Sequence, residues 1–193
     1  MDLISVGFAL TGSYCTFSKV IPQMKNLKDD GYNVIPIMSE NAANTDTRFG
    51  TASDIKKQIE EITGNKIIAS IKDAEPIGPK KIIDALIIAP CTGNTRGKLA
   101  SGITDSSVTM AAKAILRNEK PVIIAVSTND GLSGSAKNIG KLLNVRNIYF
   151  VPFGQDDYIN KPRSIVAYMD MISSSLKEAL NKKQIQPIIK QKR

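Results

Sequence analysis

Short, continuously apolar runs alternate along this chain with longer stretches in which apolar residues recur every three or four positions. Residues 3–10, 33–38, 84–89, 121–126 and 147–151 have strand length. Leu86-Ile87-Ile88 and Val122-Ile123-Ile124 show no polar alternation, as expected of parallel strands covered on both faces. Between the runs, Val108, Ala111, Ala112 and Ile115 share one helical face over residues 107–117. Ile165, Tyr168, Met169, Ile172, Leu176 and Ala179 do the same over 164–180. Asp105 and Ser164 are the expected N-caps of these two helices. Val20, Met24 and Leu27 mark a helix that Gly31 ends, with Pro22 near its start or at a kink. Residues 54–62 read as a helix through Ile55, Ile59 and Ile62, 66–71 as a short strand or turn, and 75–79 as a Pro/Gly loop. The alternation predicts an α/β fold: a Rossmann-like, flavodoxin-type parallel sheet with helices on both faces.

Composition narrows the classes. No apolar run approaches the roughly 20 residues of a membrane span, and no basic n-region precedes Leu3-Ile4-Ser5-Val6, so a cytoplasmic protein is expected. Two cysteines and no histidine exclude a disulfide framework and His-containing zinc sites, and no metal is expected. The formal charge of +8 raises nucleic acid as a ligand. However, Lys182, Lys183, Lys190, Lys192 and Arg193 crowd the last twelve residues without an acid, and without them the charge falls to about +3. The expected organisation is a single domain over 1–181 and a solvated basic tail over 182–193, with no nucleic-acid or membrane partner.

All strand-end loops of a parallel sheet open on one edge, and three of them carry small polar residues. Thr11, Gly12, Ser13 and Thr16 follow the first strand, where glycine permits close backbone approach and the hydroxyls can meet a phosphate. The loop is not G-x-G-x-x-G, and Ser39 followed by Glu40 stands where a ribose-binding acid belongs. Thr92, Gly93, Asn94 and Thr95 can wrap a phosphate or the polar edge of a heterocycle, or serve only as a helix cap at Asn94 or Thr95. Ser127, Thr128 and Asn129 can face the same ligand, with Asp130-Gly131 as a turn. The three loops are expected to converge.

The segment Ala89-Pro90-Cys91-Thr92-Gly93-Asn94-Thr95 resembles the Ala-Pro-x-[Ser/Thr]-x-Asn-Thr motif of the flavoprotein family that includes flavin-dependent cysteine decarboxylases and flavin prenyltransferases. Gly12-Ser13 matches that family's flavin-phosphate loop and Ser39 its hydroxyl residue after the second strand. Its Pro-Ala-Met-Asn loop aligns with Val126-Ser127-Thr128-Asn129, where only the Asn remains. Residues 44–50, 59–64, 74–80 and 147–156 look like one branch of the family, a B-type subunit from spore-forming bacteria. The resemblance thus covers nearly the whole chain.

It implies FMN in the three loops, a homo-oligomer with flavin between protomers, and an NAD(P)-binding A-type partner. The implied reaction is oxidation of a dihydro-type heterocyclic dicarboxylate. Without histidine the decarboxylases' catalytic His cannot be present, which disfavours oxidative decarboxylation of a peptidyl cysteine. Asn129 and Cys91 are the catalytic candidates, with Cys91 either redox-active or simply a small buried residue. Cys15 is a second candidate thiol, and Asp105 and Glu75 are candidate acid/base groups. Two carboxylates call for bidentate cations, and Arg48 and Arg96 are the candidates, with Lys98 a weaker third. A non-catalytic scaffold, a flavin prenyltransferase or decarboxylase, and nucleic-acid binding through the tail remain as alternatives.

Overall fold

The computed structural model describes residues 3–190. Five strands make its centre: β1 (Ser5–Leu10), β2 (Asn33–Met38), β3 (Ala85–Cys91), β4 (Val122–Thr128) and β5 (Ile148–Phe150). They lie in the order β2-β1-β3-β4-β5, every pair parallel. All of β3 and nearly all of β4 are buried, which explains their lack of alternation. The first crossover, through α1 (Phe17–Asp29), steps to one side of β1, and the later ones step to the other. Right-handed connections therefore put α1 on one face, with α8 (Ile172–Leu180) beside it. The opposite face carries α6 (Ser107–Arg117), with α4 (Ile71–Ala74) against it, and α5 (Gly93–Ser101) beside α7 (Ala136–Leu143). Winding reverses between β1 and β3. Sheets of this order hold ligands at the carboxyl ends of those two strands.

The structure revises several sequence expectations. Residues 164–180 are not one helix, because Ile165–Ala167 form β7 and only the segment from Ile172 continues as α8. Strand β7 runs antiparallel to the end of β4 and to β6 (Phe153–Gly154), so one edge of the sheet is mixed. Ser164 caps nothing; its hydroxyl donates to the Thr128 carbonyl. The cap of α6 is Ser106, in a reciprocal box with Thr109, while Asp105 binds Lys98. Helix α1 runs on through Pro22, whose exposed position leaves the carbonyl of Ser18 open to water, and Gly31 follows its end at φ +90°.

Residues 41–81 hold α2 (Glu40–Asn44), α3 (Ala52–Thr63) and α4, with one parallel bridge between Ile37 and Ile68. Of the expected tail over 182–193, residues 191–193 lie outside the described residues, and 182–190 are not a free tail. Gln184 accepts from the Phe150 amide at 2.8 Å and donates to its carbonyl at 2.7 Å. Ile189 bridges to Phe153, the Lys190 amide donates to the Phe153 carbonyl, and the Lys190 ammonium lies over the Tyr168 ring. This leg lines the open edges of β5 and β6, whose backbone groups it satisfies.

Candidate flavin site

Where the winding reverses, one hydroxyl joins the two strand ends. Thr11 Oγ1 donates to the Pro90 carbonyl at 2.6 Å and accepts from the Thr92 amide at 3.0 Å. Its only donor is spent and it is 1% exposed, so the Thr11 hydroxyl shapes the site instead of donating to a ligand. The loops after β1 and β4 meet through a triangle of hydroxyls: Ser13 to Thr16 at 3.0 Å, Ser13 to Ser127 at 2.9 Å and Thr16 to Ser127 at 3.1 Å. The loops after β3 and β4 meet at Gly93. A Cβ there would lie 3.0 Å from Ser135 Oγ, 3.2 Å from Thr128 Oγ1 and 3.3 Å from Asp130 Oδ1, so a side chain would press on all three. All three loops converge.

The loops after β1 and β3, but not the one after β4, border a cleft of about 360 Å³. Its walls are Thr11 and Gly12, the start of α2 from Ser39 to Asn41, α5 through Thr92, Asn94, Thr95 and Lys98, and the Asp105-Ser106 turn. Ser39 caps α2 by accepting from the Ala42 amide, and Thr92 caps α5 by accepting from the Thr95 amide. The cap of α5 is thus neither Asn94 nor Thr95. Both helix starts turn the positive end of their peptide dipoles toward the cleft. Its charged groups are engaged within the protein: Lys98 binds Asp105 at 2.8 Å, and Glu40 accepts from the Ser107 amide. An anion here would rest on backbone N–H groups and hydroxyls, not on a free cation. Ser13, Thr16, Gly93, Ser127, Thr128 and Asn129, all expected to meet the cofactor, stand outside the lining. Thr128 gives its hydroxyl to Asp130, and Asn129 is exposed.

Other predicted residues have different placements. Arg96 is not a surface cation: it is fully buried, with Nη1 on the Cys91 carbonyl at 2.7 Å and Nε and Nη2 without partners among the described residues. Burial lowers its proton affinity, while the neighbouring Cys91 and Asp130 groups oppose that shift. Cys91 is buried and its thiol is pushed up to about 12, mainly by desolvation, so it carries no thiolate near neutrality and does not suit a nucleophile. Cys15 is exposed beside the hydroxyl triangle. Arg48 is exposed, its guanidinium 4.9 Å from the Phe49 ring centre. Phe49 shares a hollow with Tyr14, whose hydroxyl reaches the carbonyl of Asn41 at the cleft wall. Glu75 lies in a separate cleft with Lys113 and Arg117. Glu40, Asn41 and Ser106 were not expected at the site. Their signal is positional, because each opens a helix at the sheet's carboxyl edge.

Comparison with known proteins agrees with this geometry. A family model described as Flavoprotein matches residues 2–179. The chain is 47% identical over 184 residues to the B subunit of dipicolinate synthase from Bacillus subtilis (strain 168), covering 95% of this chain and 92% of that one. The crystal structure of the corresponding B subunit from Bacillus halodurans superposes with a TM-score of 0.91 at 45% identity, covering 100% of both chains. DmrB of Burkholderia xenovorans in complex with FMN shares the fold at a TM-score of 0.68 and 17% identity, over 92% of this chain and 96% of that one. With its cleft at the reversal of the sheet and a match along almost its whole length, this chain belongs to the flavoprotein family.

Proposed function

We propose that the cleft binds FMN and that the chain is the flavoprotein subunit of a dipicolinate-forming oxidoreductase. The observation that carries this reading is the cleft itself: two helix starts, Gly12 and the Asn94-Thr95 pair meet at the β1/β3 reversal of a chain so similar to dipicolinate synthase B subunits. The donor set fits a phosphorylated aromatic ligand. Gly12 leaves backbone room for a phosphate, since a Cβ there meets nothing nearer than 3.7 Å. Asn94 and Thr95 offer an amide and a hydroxyl to a ring edge.

FMN, when bound, supplies a two-electron acceptor. The substrate is a dihydrodipicolinate-type dicarboxylate, which loses two hydrogens to become the aromatic pyridine during sporulation. In this assignment Arg48, the exposed cation beside the Tyr14 wall, holds a substrate carboxylate. Asn129, exposed on the β4 loop, is free to reach a bound ligand. With no histidine in the chain, proton transfer falls to water or to one of the chain's Asp, Glu, Lys, Cys or Tyr groups. The partner is an NAD(P)-binding A-type subunit, the assembly is cytoplasmic, and the chain associates with copies of itself.

A second reading keeps the cleft but removes the chemistry, leaving the chain as an FMN-binding or scaffold subunit for the pyridine-nucleotide enzyme. The engagement of Ser13, Thr16, Ser127, Lys98 and Asp105 within the protein favours it. One experiment separates the two. The chain is mixed with the A-type subunit and substrate, with and without FMN, and pyridine absorbance is followed. Flavin-dependent formation supports the catalytic reading, flavin-independent formation supports the scaffold, and absence of FMN binding overturns both flavin assignments.

A further inference from the structure

Arg96 has been taken wholly out of water by folding, and two of its three guanidinium nitrogens have no partner among the described residues. Those two, Nε and Nη2, form the side-on edge of the group, whose parallel N–H bonds match the two oxygens of a carboxylate. A buried guanidinium is costly unless its donors are taken up, so this edge calls for an anion. The cofactor cleft does not include Arg96 in its lining, which leaves a small-molecule carboxylate no direct approach. The nearby anion belongs to the protein. Asp130 lies on the exposed loop after β4, packs against Gly93 three residues before Arg96, and is the carboxylate whose charge acts on that guanidinium.

We propose that Asp130 seats its carboxylate on the Nε–Nη2 edge of Arg96, and that the pair positions the Ser127–Asn129 loop against the start of α5. The Asp130 carboxylate is exposed and accepts from the Thr128 hydroxyl, a contact it exchanges for the guanidinium edge when seated. Gly93 keeps the space open, since any side chain there would crowd both Asp130 and Ser135. Arg96 is then a positioning residue. It ties the end of β3 through Cys91 and the β4 loop through Asp130, the two loops that meet at the proposed flavin site. Only the functional consequence rests on the flavin reading; the pair itself does not.

The test is a double-mutant cycle in the full chain, Arg96→Met and Asp130→Asn singly and together, read by urea unfolding without added ligand. A coupled pair makes the unfolding constant of the double variant depart from the product of the singles by about tenfold. If Asp130→Asn has the same effect in the Arg96→Met background as in the wild type, the pair is overturned. Should Arg96→Met not fold, the cycle is run with Arg96→Lys, which keeps the charge but loses the fork. FMN fluorescence quenching is the second readout: Asp130→Asn and Arg96→Lys each raise the dissociation constant at least threefold, and unchanged values overturn the positioning role. A wild-type chain that does not quench FMN overturns the flavin reading instead, and the unfolding cycle still decides the pair.

Discussion

Replacing Thr11 by valine keeps nearly the same shape and removes one hydroxyl, the one that joins β1 to β3. Two backbone groups lose their partner: the buried Pro90 carbonyl, which accepts from Oγ1 at 2.6 Å, and the half-buried Thr92 amide, which donates to it at 3.0 Å. No water can replace the hydroxyl at a side chain 1% exposed. An orphaned buried group costs about 1–3 kcal/mol and the half-buried amide about 1 kcal/mol, so the variant should lose roughly 2–4 kcal/mol in all. For a chain of this length that corresponds to a fall of roughly 5–15 °C in Tm. Thr11→Ser keeps the hydroxyl and should recover most of the loss, apart from one buried methyl of about 1 kcal/mol. Urea unfolding of the three proteins measures the stability, and FMN quenching measures the consequence at the cleft. The Thr92 amide precedes the first turn of α5, so Thr11→Val should weaken FMN binding as well. A Thr11→Val protein within about 0.5 kcal/mol of wild type, or a serine variant no better than valine, refutes the assigned role.

Three other perturbations have definite outcomes. At pH 8 an aryl disulfide reagent should modify Cys15 alone in the folded protein and both thiols in urea, because burial holds Cys91 at about 12; two fast thiols in the native state contradict this. The Asp84 carboxyl is raised by burial, but the Lys120 ammonium at 2.8 Å and the Ser5 amide at 3.0 Å outweigh that effect and hold it below the usual carboxylate range. Its stabilisation is present above the unfolded value near pH 4 and is lost as pH falls through the depressed folded value. With the side chain 44% exposed, Asp84→Asn should cost no more than about 1 kcal/mol at pH 7 and flatten the acid limb of a Tm profile; parallel limbs for the two proteins contradict it. Truncation after Asn181 removes both Gln184 bonds to Phe150 and the pairing at Phe153, and should cost about 2 kcal/mol or more; an unchanged Tm restores the free tail.

The sequence reveals the central sheet because β3 and β4 are covered on both faces, and a short, unbroken Val/Ile/Leu run fits little besides a buried strand. It conceals β7 because three residues cannot distinguish a period of 2 from one of 3.6. Ile165 and Ala167 are buried and Val166 half-buried, as in a strand, yet Ile165 also fits the helical spacing that continues through Met169 and Ile172. Helix α5 is hard to read for a different reason. Its inward face is Thr95, Arg96 and Ala100, so the residue that folding buries most completely is the one whose type argues for the surface. No periodicity rule finds a buried arginine. The same fact moves Arg96 from a substrate ligand to a member of the scaffold.

Convergence of the three loops was legible from strand direction alone, because parallel strands place every carboxyl end on one edge. Which hydroxyls remain free was not legible, since that depends on partners far apart in sequence. Ser13 finds Ser127 across 114 residues, and Thr11 finds Pro90 across 79. Four of the hydroxyls that the sequence offers to a ligand, Thr11, Ser13, Thr16 and Ser127, fasten the loops to one another, and Ser39, Thr92, Thr95 and Thr128 are engaged within their own segments. Any phosphate in the cleft must then be held by backbone amides at the starts of α2 and α5 and by Gly12, groups whose direction is fixed before the ligand arrives. Such a site binds without reorganising its donors. It also explains why Lys98 can be given to Asp105 without emptying the cleft of positive potential, because the helix starts supply it.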